Sequence, residues 1–260
     1  MPTWTISALA LLVLVPAAGT AMWRGFDGLY GQDAYAYYDY ATGPLRSALI
    51  HAEPWPPFFW PPGYPLLVAL ASFVFGSTPV AGQIVSLVMG ALVPVFTALL
   101  ARELWPGQRW LPLLVGGLVA LTGQLWQSSM VVMADTTGLA MATLAAFAIA
   151  RYAHQRRLAW LLVATLAITL ALLSRWIYGL VALPLAASLL TSRPPMRHVT
   201  LCTVLAVVVL TPVLGPSLLG LVREPTAEAV FAGNLQVYTW SPLNAFLRDF
   251  DTPDGHLSYA

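Results

Sequence analysis

Residues 80–101 read VAGQIVSLVMGALVPVFTALLA and carry no charged side chain. A helix needs about 20 consecutive apolar residues to cross the hydrocarbon core of a bilayer. The rest of the chain has the same character, because 58% of its 260 residues are hydrophobic, 9% are charged and the mean hydropathy is +0.73. An ordinary soluble domain has about a quarter of its residues charged. The sequence therefore predicts an all-α integral membrane protein.

Six further apolar runs resemble this one, and together they predict a polytopic bundle of about seven transmembrane helices. Another run, Tyr64–Gly76, is too short to cross and fits an interfacial or re-entrant segment. The first run is an alternative candidate for a secretory signal peptide, but it lacks a basic start and is long for one, so we interpret it as a signal anchor. The seven runs are 4–22, 80–101, 110–127, 130–150, 158–174, 177–190 and 199–221.

The arginines predict the direction of threading, since basic residues in short loops mark the cytoplasmic side. Loops 102–109, 151–157 and 193–197 each carry two or more arginines, so we expect them in the cytoplasm. The connections that alternate with them are then external, including a long first loop over residues 23–79 and the tail 222–260. We expect residues 1–221 to form the N-terminal part of a transmembrane domain that continues beyond this chain.

The first external loop holds a dense acidic and aromatic cluster, GFDGLYGQDAYAYYDYA, at residues 25–41. Asp33, Tyr37 and Tyr40 fall at helical spacing. This spacing predicts a short interfacial helix that aims Asp33 inward and holds its tyrosines at the headgroup level. The alternative is a solvated loop with an aromatic belt, and we favour that interpretation for Asp39.

Two ionisable residues lie where external turns meet apolar helices. Asp135 begins a helix in VVMADTTGL, where a carboxylate favours the helix N-terminus and Thr136 and Thr137 can complete a cap. Ionisable residues at membrane depth also mark functional sites, and the two roles are compatible. Arg175 either extends to the interface, or it binds a substrate phosphate through its planar guanidinium.

Five short motifs follow one another on the predicted external side: Asp33–Tyr38, Pro61–Leu67, Met133–Thr136, Ser174–Gly179 and Arg223–Pro225. Their order resembles the GT-C superfamily of polytopic glycosyltransferases. The resemblance is strongest to the branch that contains protein O-mannosyltransferases and the bacterial lipid A aminoarabinose transferase. Each motif is weak alone, and the shared order carries the resemblance.

The resemblance implies a donor in which a sugar is attached to a polyprenyl phosphate, and an acceptor that is a lipid, a glycan or a protein. It also implies chemistry on the external face of a bacterial-type plasma membrane. On this basis Asp33 is the expected general base, Asp135 orients the acceptor or a metal ion, and Arg175 binds the phosphate. The residues expected to bind substrate together with Arg175 are Tyr35, Tyr37, Tyr64 and Tyr178.

The sequence departs from the family pattern at two points. Ala34 stands where the first motif often has a second acid, and Pro61 and Pro62 occupy a region where some members have a lysine before the proline. These departures bear on metal use and phosphate binding. The sequence therefore names no cofactor and leaves open whether the site uses a divalent metal ion.

Two other classes of membrane protein compete with a transferase. A transporter or lipid flippase would use Asp33, Asp135 and Arg175 as coupling or gating charges, but such charges concentrate near the midplane and often lie in repeated halves. A structural subunit would need no acidic and aromatic cluster. The net charge of +1 gives no reason to expect a nucleic acid, and the single Cys202 excludes a disulfide framework within this chain.

Overall fold

The computed structural model describes residues 3–56, 58, 60–223, 249–252 and 255–258, with side chains described between residues 4 and 211 except at 57 and 59. Helices form nearly all of the regular structure in this part, so the predicted all-α membrane fold is confirmed. Glu224 and Pro225 of the last motif lie outside the described residues, as does most of the tail.

The helices follow one another with short connections. A π-helical turn, Ala41–Leu45, joins the second helix to the third, and a 3-10 turn, Trp176–Tyr178, precedes the tenth. The helices are α1 (Thr3–Arg24), α2 (Gly31–Tyr40), α3 (Arg46–His51), α4 (Gly63–Phe75), α5 (Pro79–Leu104), α6 (Leu111–Ala120), α7 (Gly123–Met130), α8 (Asp135–Gln155), α9 (Leu158–Ser174), α10 (Gly179–Thr191) and α11 (Met196–Arg223).

The chain divides into two compact units, Met1–Val207 and Val208–Ala260. The second unit contains a short antiparallel hairpin, made of β1 (Asp249–Thr252) and β2 (Gly255–Ser258). The first unit holds α1 to α10 and every predicted site residue.

Length and composition allow α1 and α5 to cross a membrane, and α7 with α8 make a third candidate that is bent by 118°. The other long apolar segments, α4, α6, α9, α10 and the start of α11, are shorter helices. The predicted count of seven spans therefore stays a prediction.

The run predicted over residues 110–127 is divided into two helices. Thr122 adopts extended dihedral angles and separates α6 from α7. The indole Nε1 of Trp126 donates a hydrogen bond to the carbonyl of Ala120 at 2.6 Å, which satisfies one of the carbonyls at the end of α6. A second break, at residues 131–134, bends α7 by 118° from α8, and Asp135 follows this bend.

Helix α5 lies at the centre of the first unit and packs against α1, α4, α6, α7 and α8. Glycines permit the close approaches. A Cβ atom on Gly116 would lie 2.9 Å from the Cβ of Ala98, and one on Gly82 would lie 2.6 Å from Cγ1 of Val132. Small residues are the usual means of bringing helices together in membranes, where dispersion contacts between backbones replace the hydrophobic effect.

The three arginine-bearing connections meet at one end of this unit. Arg151 Nη1 lies 2.6 Å from Oε1 of Glu103, which is buried. The hydroxyl of Tyr152 shares a 3.1 Å hydrogen bond with Nδ1 of His198, and Arg156 donates to the carbonyl of Ser192. These contacts tie the ends of α5, α8 and α10 to the start of α11. The grouping agrees with the alternation of loops that the arginines predict.

Candidate active site

The first part of the site is α2, which confirms the predicted short helix in the first loop. Its inner face buries Ala34, Tyr37 and Tyr40, and Asp33 is half-buried at its first turn. We expected the tyrosines at the headgroup level, but Tyr37 is only 1% exposed. Tyr37 points inward because it lies one helical turn from Asp33 and from Tyr40.

Tyr35 and Asp39 occupy the outer face of α2, and both are exposed. Tyr35 is 52% exposed and is therefore not brought together with the other predicted substrate-binding residues. Asp39 has the solvated position that we expected for it.

An aromatic cluster packs beneath α2. The ring of Tyr37 meets Tyr64 edge-on with centroids 5.4 Å apart, and it also contacts Phe58 and Trp60. Tyr40 stacks on Phe58 at 4.0 Å and donates a 2.7 Å hydrogen bond to the carbonyl of Pro56. Burial raises the pKa of Tyr40 to about 12, so its hydroxyl remains a donor. The proline-rich segment is therefore folded against α2.

Tyr64 is fully buried at the start of α4. Its hydroxyl donates to the carbonyl of Gly82 at 3.2 Å and shares a 2.9 Å hydrogen bond with Oγ of Ser86. The adjacent Gly63 touches α9, since a Cβ atom there would lie 2.7 Å from the backbone of Leu173. This approach brings the start of α4 beside the end of α9, where Ser174 and Arg175 follow.

Arg175 and Asp135 form an ion pair, with Nη1 and Oδ1 2.5 Å apart. The side chains are 35% and 34% exposed. Arg175 has an extended backbone between α9 and the 3-10 turn, and Asp135 is the first residue of α8. Asp135 thus has a basic neighbour that the sequence around it does not contain.

The structure does not show the helix cap predicted for Thr136 and Thr137, because no side chain makes a capping hydrogen bond at the start of α8. The N-cap residue is Ala134, which has no side-chain oxygen to accept a hydrogen bond. Thr136 instead donates to the carbonyl of Ser86 at 3.2 Å. Its side chain therefore attaches the start of α8 to α5.

Tyr37 joins the two halves of the site. Burial raises the pKa of its hydroxyl above the usual value, and Arg175 lowers it through its charge and a hydrogen bond. The charges of Asp33 and Asp135 both raise the pKa of this hydroxyl. All three charged side chains therefore lie close enough to act on Tyr37, and the structure brings together residues from α2, α8 and the α9–α10 turn.

Tyr178 completes this group from the other side. Its ring lies against Gly138, one turn after Asp135, where a Cβ atom would overlap the ring. Its hydroxyl is within electrostatic range of Asp135 and Arg175. The predicted site residues other than Tyr35 thus lie at one end of the unit, opposite the arginine-bearing loops.

Sequence reasoning missed the residues of α5 that support this point. Ser86 contacts Tyr64, Thr136 and the carbonyl of Met133, the last at 3.4 Å from its Oγ. Gln83 lies one turn earlier. An amide within an apolar run was the available signal, because polar side chains in membrane helices commonly bond to neighbouring helices.

The described residues contain no cluster of three or more His, Cys, Asp or Glu side chains that could hold a metal ion. The acids of the site, Asp33 and Asp135, are accompanied by a guanidinium and tyrosines. The chemistry that these groups offer is proton transfer and the binding of an anion.

Comparison with known proteins yields a family match over residues 60–215, more than half of the chain. The matching family is described as dolichyl-phosphate-mannose-protein mannosyltransferase. The matched part includes Asp135 and Arg175, and it begins after α2 and Asp33. No curated protein and no solved structure matches the chain. The chain therefore belongs to the dolichyl-phosphate-mannose-protein mannosyltransferase family and is a membrane glycosyltransferase of the GT-C type.

Proposed function

We propose that this protein transfers a sugar from a polyprenyl-phosphate donor to a hydroxyl or amine of a lipid, glycan or protein acceptor, on the external face of the membrane. The observation that carries the proposal is the ion pair between Asp135 and Arg175, which lies close to α2, the helix that carries Asp33, because Ala34 and Tyr37 of α2 pack in one cluster with the turn that leads to Asp135. A sugar phosphate linked to a lipid needs an anion-binding group and a base at the bilayer surface, and this cluster contains both.

Arg175 has the phosphate-binding role. A guanidinium carries several N–H donors in a planar fork, so one side chain can hold Asp135 and a phosphate oxygen at the same time. Arg175 follows α9, and the exposed apolar side chains of Ile177 and Leu180 come shortly after it, which suits a donor with a polyprenyl chain. When the donor reacts, the guanidinium stabilises the charge that develops on the departing lipid phosphate.

Asp33 has the role of general base. The acceptor oxygen or nitrogen attacks the anomeric carbon, the new bond to the acceptor forms, and the bond from that carbon to the phosphate oxygen breaks. The proton of the acceptor passes to the carboxylate of Asp33, and the electron pair of the broken bond leaves with the phosphate. No oxidation or reduction occurs, and the products are the glycosylated acceptor and the free polyprenyl phosphate.

Asp135 and the tyrosines orient these groups. The ion pair with Asp135 supports a role in fixing the direction of the Arg175 fork. Tyr178 lies beside that pair, is only partly buried and is suited to contact the sugar, whereas the burial of Tyr37 and Tyr64 favours a role in supporting α2 and the ion pair. The exposure of Tyr35 leaves it available only to a substrate that approaches the outer face of α2.

The test is a transfer assay on the full-length protein in purified membranes, with a sugar on a synthetic polyprenyl phosphate and an acceptor extract. Wild-type protein should release free polyprenyl phosphate and label the acceptor, and Asp33→Asn should not. Transfer from a nucleotide sugar but not from the lipid-linked sugar would contradict the proposed donor. The family match favours this reaction over the transporter alternative, and transport of the intact donor without cleavage would reverse that preference.

A further inference from the structure

Gln83 of α5 makes two hydrogen bonds to loops that lead to the site. It is 8% exposed, and its Nε2 donates to the carbonyls of Phe26 and Met130, each at 3.0 Å. An amide nitrogen carries two hydrogens, so these bonds match its donor capacity. Both hydrogen bonds are part-buried, so loss of the amide would leave two carbonyls without this donor and weaken the attachment of both loops.

The two carbonyls belong to the segments that carry the carboxylates. Phe26 lies in the loop before α2, which begins at Gly31 and contains Asp33. Met130 ends α7, and the following turn leads to Asp135 at the start of α8. Gln83 therefore hydrogen-bonds both to the loop that leads to Asp33 and to the end of the helix that precedes Asp135.

The same two segments also bond to each other. The backbone N–H of Val132 donates to the carbonyl of Gly28 at 2.9 Å. Gly28 has φ +89, a left-handed conformation that favours glycine, and a Cβ atom there would lie 3.0 Å from Cγ2 of Val132. The loops thus meet along their backbones, and Gln83 fixes both of them to α5.

We infer that Gln83 is a positioning residue that sets the separation between the carboxylates of Asp33 and Asp135. The inference rests on the proposed function for its catalytic consequence, but its structural part stands on the hydrogen bonds alone. Misplacement of a reacting group by about 1 Å costs up to about a hundredfold in rate. A side chain that holds two loops in register therefore controls turnover without touching the substrate.

The experiment compares Gln83→Leu and Gln83→Glu with wild-type full-length protein, by transfer kinetics and by hydrogen exchange of the Val132 amide. Matched controls are Gln124→Leu and Gln124→Glu, because the exposed amide of Gln124 donates to Oγ of Ser128 at 3.3 Å within α7. Gln83→Leu should lower kcat by about tenfold to a hundredfold, with little change in the donor KM. The Val132 amide should exchange faster in this variant and not in the Gln124 controls.

The pH dependence of Gln83→Glu gives a readout that general destabilisation would not produce. A protonated glutamic acid donates one hydrogen bond, whereas a carboxylate donates none and repels the two carbonyl oxygens. The ratio of kcat for Gln83→Glu to kcat for Gln83→Leu should exceed one at low pH. It should fall to one or below as the pH rises through the pKa of the new carboxyl. The ratio removes any pH dependence that the two variants share.

Unchanged kcat in Gln83→Leu would overturn the inference, as would a lower kcat without faster exchange at Val132 or a ratio that does not vary with pH. If Gln83→Leu does not fold, kcat and the exchange rate of the Val132 amide in Gln83→Glu are compared with the wild-type values instead. Unchanged values of both would then overturn the inference. Failure of wild-type protein to transfer sugar would overturn the proposed function instead. The exchange of Val132 would then decide on Gln83 alone, with faster exchange supporting its positioning role and equal exchange overturning it.

Discussion

Substitution of Arg175 by alanine should separate the binding of phosphate from the stability of the fold. Both members of its ion pair are about one-third exposed, so water screens the pair and its loss should cost about 1 kcal/mol or less of folding free energy. A hydrogen bond to a charged group contributes about 1.5–3 kcal/mol. If the guanidinium holds the donor phosphate, Arg175→Ala should therefore weaken donor binding by about tenfold to a hundredfold.

The assay measures the donor KM of full-length protein in membranes, together with the midpoint of thermal unfolding in detergent. Arg175→Lys should fall between wild type and the alanine variant, because an ammonium keeps the charge but does not form the planar fork. Asp135→Asn is the matched variant on the other side of the ion pair, and it removes the negative charge while keeping an oxygen that can accept a hydrogen bond from Arg175. Its effect on the donor KM should be much smaller than that of Arg175→Ala.

Two results would refute the reasoning. Unchanged donor KM in Arg175→Ala would leave Arg175 with the role of extending to the interface or holding Asp135. Equal increases of KM in Arg175→Ala and Asp135→Asn, with matching losses of stability, would mean that the ion pair acts through the fold and not through the phosphate.

Three further predictions concern the base, the packing and the topology. Asp33→Asn should lower kcat by about a hundredfold to ten-thousandfold with little change in donor binding, and the exposed Asp39→Asn should stay near wild type, whereas the reverse order would reassign the base. Gly138→Ala should displace the Tyr178 ring and cost about 1–3 kcal/mol in unfolding measurements, while Gly117→Ala, with no described atom within 4 Å of the added Cβ, should be neutral or slightly stabilising. A single cysteine at position 156 in a cysteine-free background should resist impermeant reagents applied to intact cells, whereas a single cysteine at position 33 should react. Labelling of position 156 from outside would contradict the predicted membrane topology.

The sequence was sufficient for the helical class, for α2 and for the order of the motifs, because apolar length and helical spacing are local properties. Asp33, Tyr37 and Tyr40 share a face of α2 by periodicity alone, and the structure has that face. Periodicity alone does not predict which residues pack against this face of α2. The aromatic cluster around Tyr37 depends on the path of the proline-rich segment, which no local pattern determines.

The contacts that define the site join distant parts of the chain, and these were not predictable. Asp135 pairs with Arg175 across a pair of helices, so neither sequence neighbourhood contains the signal. Tyr35 and Tyr37 were equivalent candidates by composition, but a rotation of two residues along a helix places them on opposite faces. Gln83 was overlooked because its partners are backbone carbonyls, which every residue possesses.

The contact between Gly63 and Leu173 has a consequence for biosynthesis. Helices α5 to α8 lie between these residues in sequence, so α4 cannot dock on α9 until the ribosome has produced all of them. A nascent chain that ends between residues 135 and 173 contains Asp33 and Asp135 but lacks Arg175, so its first helices enter the bilayer without the guanidinium of the ion pair. If Arg175 binds the donor phosphate as proposed, the site is completed only after α9 has been made, and shorter nascent chains cannot bind the donor there.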